Sequence, residues 1–364
     1  MSNFDQLIAN TIRPDVRALS SYHVADNVGF IRLDQMENPY ELSGLLRDEL
    51  AHRLANAMLN RYPVPSPNEL RAKVCAKLGI PAGYDVMLGN GSDELISIVI
   101  TAVTKPGQRT VVMAPVPSFV MYQRSAQYAG ADFVGVPLKE DFSLDRDAML
   151  KAIEEHKPAV VFLAYPNNPT GNLFDKADVN AVIEALGDTG LCVVDEAYEP
   201  FAQTSYMGRL PRYPNLIVMR TLSKLGLAGI RLGYMSAAPQ LLAEFDKVRP
   251  PYNVNILTQT AAAFALDHLE ELNAQARAIN AERPKLAAAL AELPGATVFP
   301  AAGNFILFRV PDAERATAKL LANRILAKNL SKMHPLLTNC IRVTVSTPEE
   351  NAAFLSALQA PDQS

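Results

Sequence analysis

The sequence predicts an α/β fold: a large unit with a mostly parallel sheet covered by helices on both faces, plus a smaller α+β unit. Three observations carry this. From about residue 86 to 237, short apolar strand-like segments alternate with helical ones, and alternation of that kind builds parallel sheets. The strand segments, such as "AVVFLAY" (159–165), are apolar at nearly every position, as strands buried on both faces are. After Pro250 the alternation gives way to long helices and two separated strand candidates. At 364 residues the chain exceeds one comfortable hydrophobic core. The expected division is an arm over 1–35, a large domain over 36–255 and a small domain over 256–364.

Residues 1–35 read as an arm with one short helix. "ELSGLLRDELAHRLANAML" (41–59) has helical apolar spacing. "RYPVPSP" (61–67) is too rich in proline for a helix or a central strand and reads as a surface loop, with a helix after it to Leu78. "SDELISIVITAV" opens with Ser92 as N-cap and acids in the first turn, so a helix starts there. The strands that follow are "TVVMAP", "DFVGVPL", "AVVFLAY", "LCVVDEAY", "NLIVMR" and "RLGYMSA", with helices at 117–129, 145–156 and 175–186 among them. Helices at 255–270 and 270–293 come next. "NFILFRV" (304–310) and "CIRVTVS" (340–346) are the strands of the smaller unit, and a helix over 348–359 ends it.

The bulk numbers narrow the function classes. The chain is 49% hydrophobic and 20% charged, which is ordinary for a globular protein. A net charge of -4 gives no support for binding nucleic acid or an anionic membrane surface. Cys75, Cys192 and Cys340 are far apart and odd in number, which argues against a disulfide framework and for a reducing cytoplasm. His23, His52, His156, His268 and His334 have no ligand spacing, so no metal site is expected. The first residues, "MSNFDQLIANTIRPDV", lack the long apolar stretch of a signal peptide or membrane span.

Strand ends and the loops after them are where α/β proteins place ligands, and four such places hold unusual residues. "LGNGSDE" (88–94) is a glycine-rich turn feeding a helix. It is either a plain capped turn or a cradle whose backbone N–H groups suit a phosphate. The full dinucleotide fingerprint, GxGxxG, is absent. "YPNNPTG" (165–171) is either an Asx-turn or a source of a polar amide. "VVDEAY" (193–198) ends an apolar strand on Asp195; unless water reaches it there, the acid wants a buried positive partner, and Tyr198 can share its space. "RTLSKLGLAGIRLGY" (220–234) follows another strand and sets Lys224 behind Thr221 and Ser223, with Arg231 further on. Most lysines are solvated surface charges. A phosphate cradle, a polar amide, a buried acid and a lysine are together what pyridoxal phosphate uses: its phosphate, its ring oxygen and nitrogen, and its aldehyde.

The ordered set "NGSDE", "YPNNPTG", "VVDEAY", "TLSKLGLAGIRLGY", "NFILFR" and "CIRVTVSTPEEN" resembles the fold-type-I aminotransferases that depend on pyridoxal phosphate. The likeness runs over nearly the whole chain. "RYPVPSP" and "HPLLTNCIRVTVSTPEEN" make it similar to the subgroup that acts on histidinol phosphate. The resemblance implies that Lys224 binds the cofactor aldehyde and later carries the Cα proton, and that Asp195 pairs with the ring nitrogen. It implies that Tyr198 and Asn168 bond the ring oxygen, and that Ser92, Asp93, Ser223 and Arg231 surround the cofactor phosphate. Phe119, in "PSFVMY", takes the place of an aromatic stacked on the ring. Arg342 would hold the carboxylate of glutamate or 2-oxoglutarate in one half-reaction and the phosphate of L-histidinol phosphate in the other. Tyr22 and Asn304 match substrate-side positions. Tyr62 matches a tyrosine that reaches the cofactor phosphate from a partner subunit, which implies a homodimer with shared active sites.

One departure stands out. Some family members carry a second arginine in the strand before "HPLL". Here that strand reads "RILAKNLS", so Lys328 is the nearest cation, a point charge without the bidentate fork. An aromatic amino-acid aminotransferase or a phospho-amino-acid decarboxylase would share the architecture. A non-catalytic regulator domain of this fold would need an attached helix-turn-helix unit, and 35 residues before the core cannot hold one.

Overall fold

A computed structural model describes residues 3–21 and 28–360. Among them, seven strands form the main sheet in the order Asp85–Asn90, Leu232–Ala237, Leu216–Thr221, Leu191–Asp195, Val160–Ala164, Val111–Val116 and Asp132–Pro137. Only Leu232–Ala237 runs against its neighbours; the other pairings are parallel. The expected α/β class with a mostly parallel sheet is therefore what the chain adopts.

Strand alternation splits the core in two. Val160, Phe162 and Ala164 pack into the cluster on one face, and Val161 and Leu163 into the other. Successive side chains on a strand point to opposite faces, so an all-apolar strand needs cover on both. Helices Ser92–Val103, Val120–Ala129 and Pro239–Asp246 supply buried residues to one face, and Arg146–His156 and Lys176–Leu186 to the other. Asp145 and Asp175 cap the last two, accepting from the N–H of Ala148 and Ala177, which is why those helices begin where the sequence places them.

Several boundaries differ from the sequence reading. The arm carries two short helices, Asn3–Thr11 and Pro14–Arg17, rather than one, because Pro14 starts a new turn. The helix expected over 41–59 spans Gly44–Ala55. The one expected from 117 starts at Val120. Ser92 is not an N-cap: Gly91, at φ 78°, takes that place, and Ser92 is the first helical residue. The strand Asp85–Asn90 escaped notice because Gly89 and Asn90 read as a turn.

The smaller sheet is antiparallel, in the order Lys328–Asn329, Cys340–Thr344, Phe305–Arg309 and Thr297–Val298. Helices Ile256–Asp267, Leu269–Ala291, Ala313–Ala322 and Pro348–Gln359 belong to the same stretch of chain. Ile31–Arg32 pairs in parallel with Ile325–Leu326. Leu33 then accepts from the N–H of Thr344 at 2.8 Å. This pairing carries Gln35 and Met36 to the wall of the main cavity. Among the described residues no helix is long and apolar enough to cross a membrane.

Candidate active site

A cavity of ≈ 640 Å³ opens at the carboxyl ends of the parallel strands. Twelve of the residues singled out in the sequence line it: Ser92, Asp93, Phe119, Asn168, Asp195, Tyr198, Thr221, Ser223, Lys224, Arg231, Lys328 and Arg342. Strand ends and the loops behind them deliver most of these. The small sheet supplies Lys328 and Arg342.

Asp195 closes the strand Leu191–Asp195 and is buried. Its Oδ1 accepts from the Ala197 N–H at 3.1 Å and its Oδ2 from the Tyr122 hydroxyl at 2.7 Å. Burial pushes its carboxyl up to about 6, against both hydrogen bonds. A buried acid in that state is poised to meet a cation.

Lys224 follows Leu216–Thr221 in one π-helical turn. Such turns recur at functional sites. Its Nζ donates to the Gln35 carbonyl at 2.8 Å and lies 5.9 Å from the Tyr198 ring centre. Burial, then Arg342 and Arg231, pull the amine down to about 8. A neutral amine is the form that acts as nucleophile or base.

Asn168 links two other groups. Its Nδ2 donates to the Tyr198 hydroxyl at 3.0 Å, and its Oδ1 accepts from Arg342 Nη1 at 2.6 Å. Arginine only donates, so this fixes which way the amide points. Arg342 also donates from Nη2 to the Asp34 carbonyl at 2.8 Å.

The opposite end of the cavity is the start of helix Ser92–Val103. Gly233 lets the backbone come close: a Cβ there would meet Gly91 C at 2.7 Å and Ser92 N at 2.8 Å. Arg231 Nη2 lies 3.4 Å from Asp93 Oδ2. Thr221 and Ser223 bring their hydroxyls to within 2.9 Å of each other beside this end. Helix N-terminal N–H groups, a hydroxyl and a guanidinium could together hold an anion.

Two of the expected residues do not line the cavity, and a third is not among the described residues. Asn304 is buried behind it, donating from Nδ2 to the Met36 carbonyl at 3.0 Å. It steadies the segment that presents Gln35 and Met36. Tyr62 is 81% exposed and stacks on Tyr252, ring centres 4.7 Å apart. Tyr22 lies outside the described residues. The sequence reading missed Tyr122, Gln35 and Met36. Tyr122 follows Phe119 by three residues within the helix expected over 117–129, and that expected spacing was the available signal. Gln35 had none, since only the pairing of the arm with Ile325–Leu326 places it.

Behind the site, Arg220 Nε donates to Glu196 Oε2 at 2.9 Å and Arg220 Nη2 to the Ser205 hydroxyl at 2.7 Å. The pair is buried and ties the residue after Asp195 to the strand that leads to Lys224.

Known proteins resemble this chain closely. The family profile "Aminotransferase class I and II" matches residues 29–358. Histidinol-phosphate aminotransferase 2 of Cupriavidus pinatubonensis is 60% identical, covering 97% of this chain and 97% of the relative. Histidinol-phosphate aminotransferase 1 of Ralstonia nicotianae is 58% identical, covering 98% of this chain and 96% of the relative. Among solved structures, the histidinol-phosphate aminotransferase from Sinorhizobium meliloti in complex with pyridoxal-5'-phosphate superposes with a TM-score of 0.83 at 24% identity, covering 96% of each chain. At that identity the likeness concerns the fold.

Proposed function

The chain belongs to the class I and II aminotransferases, and on that premise we infer that it moves an amino group between L-histidinol phosphate and 2-oxoglutarate. The products are imidazole-acetol phosphate and L-glutamate, a step of histidine biosynthesis. The cofactor is pyridoxal 5'-phosphate, which supplies an electron sink for amine chemistry. One observation carries the reading: a buried carboxylate, Asp195, and a lysine with a depressed pKa, Lys224, open on one cavity whose far end is a helix N-terminus.

The residues fit that group. The close approach at Gly233 leaves the backbone N–H groups of Ser92 and Asp93 available, and Ser223 and Arg231 complete a phosphate cradle. Asp195 would hold the ring nitrogen protonated. Tyr198 and Asn168, already hydrogen-bonded to each other, would meet the ring oxygen. Phe119 would lie against the ring. Lys224 would bind the aldehyde and, once released, take the Cα proton onto Nζ and return it. Arg342, directed by Asn168, would hold the carboxylate of glutamate or 2-oxoglutarate, and with Lys328 the phosphate of histidinol phosphate. Asn304 would act on the substrate side through Met36, and Tyr22 is placed there by resemblance alone.

The same reading includes a cytoplasmic homodimer in which Tyr62 of one subunit completes the other's phosphate cradle, with no nucleic acid or membrane partner. It also includes the division into an arm (1–35), a large cofactor domain (36–255) and a small domain (256–364).

The test is a donor panel: purified enzyme, 2-oxoglutarate and, in turn, histidinol phosphate, phenylalanine, tyrosine and histidine. Histidinol phosphate should have the highest kcat/KM. Equal use of phenylalanine would favour an aromatic aminotransferase, and release of carbon dioxide a decarboxylase.

A further inference from the structure

We propose that Tyr122 is a positioning residue for Asp195: its hydroxyl holds that carboxylate ionised and aimed into the cavity, and thereby sets the affinity of the site for its cofactor. The inference rests on the pyridoxal-phosphate reading above.

Tyr122 lies on helix Val120–Ala129 and is fully buried. Its ring has little room to move. It stacks on Phe162, with ring centres 4.7 Å apart and planes at 13°, and meets Phe119 edge to face at 5.6 Å. Helix and strand together therefore aim the hydroxyl at Asp195 Oδ2, 2.7 Å away. The other carboxylate oxygen is taken by the Ala197 N–H.

The charge of Asp195 needs this support. Its surroundings are apolar, and Asp93 nearby also disfavours the charge. Without donors a carboxyl so placed takes up a proton, and a protonated acid no longer attracts a pyridinium. Tyr122 is a dependable donor, because burial and then Asp195 raise its own pKa well above the ordinary phenol value. A tyrosine that merely filled the core would tolerate phenylalanine, since the ring makes the packing contacts.

Tyr122→Phe keeps the ring and removes only the hydroxyl. The readout is titration of the apo-protein with pyridoxal phosphate, followed by absorbance. The expected Kd rises about 10- to 100-fold, the range for a hydrogen bond to a charged group. In an Asp195→Asn background the same change should cost less than about threefold, because the charge it serves is gone. Phe162→Leu is the control for packing. It loosens the ring but leaves the hydroxyl in place, so it should lower the apo-protein's melting midpoint and raise Kd by clearly less than Tyr122→Phe does. The proposal is overturned by an unchanged Kd in Tyr122→Phe, by equal losses in the two backgrounds, or by Phe162→Leu weakening binding as much. A wild-type apo-protein that does not bind pyridoxal phosphate at all would instead sink the cofactor reading.

Discussion

Lys328 and Arg342 are directly opposed across the antiparallel strands Lys328–Asn329 and Cys340–Thr344. Opposed residues share a face of the sheet, and both line the cavity. Two cations held this way repel each other unless an anion lies between them. The arrangement suits a doubly charged phosphate ester better than a neutral side chain.

Lys328→Ala should therefore raise KM for histidinol phosphate by about tenfold, within the range for a charge-assisted hydrogen bond, and leave phenylalanine use little changed. Lys328→Arg should retain phosphate preference. Equal effects on both donors in steady-state kinetics would show that Lys328 does not read the phosphate.

Lys224→Ala should abolish transamination. Borohydride reduction of the wild-type holoenzyme, followed by peptide mapping, should find the cofactor attached at Lys224. The structure gives the reason: the amine is drawn down to about 8 and sits in the same cavity as Asp195. An adduct on any other lysine would contradict the assignment.

The same depressed pKa predicts a stability cost. In the unfolded chain a lysine titrates near 10.4, whereas Lys224 in the fold titrates at about 8. The fold thus disfavours the charged form. The cost is full below pH about 8, shrinks as the pH rises, and is gone above about 10.4. Lys224→Met should stabilise the apo-protein at pH 7 by up to about 3 kcal/mol and lose that advantage near pH 10.5. Urea unfolding at the two pH values measures it; a variant no more stable than wild type at pH 7 would count against burial as the cause.

Tyr62 tests the shared site. It is one of the most exposed large side chains and is held by Tyr252 rather than by its own cavity. Tyr62→Ala and Lys224→Ala, each impaired as a homodimer, should be unfolded, mixed equally and refolded. With shared sites, random pairing restores about a quarter of the sites. If each site is built within one chain, no activity returns. The Tyr62→Ala homodimer must itself fold and be clearly impaired for the comparison to hold.

The sequence by itself determined the sheet-and-helix alternation and the strand-end sites of Asp195, Asn168 and Lys224. Those follow from local physics: an apolar run of about five residues makes a buried strand, and polar residues just past its end are delivered to the ligand side. It could not orient Leu232–Ala237 against its neighbours, because strand direction leaves no mark in composition. Nor could it find the bonds that finish the site. The Tyr122–Asp195 bond spans 73 residues, Asn168–Arg342 spans 174 and Lys224–Gln35 spans 189. The first exists only once helix Val120–Ala129 has packed on the main sheet, the second once the small sheet has come against it, and the third once the arm has paired with Ile325–Leu326. Hydrophobic periodicity encodes which face of an element is buried, not which side chain it will meet there.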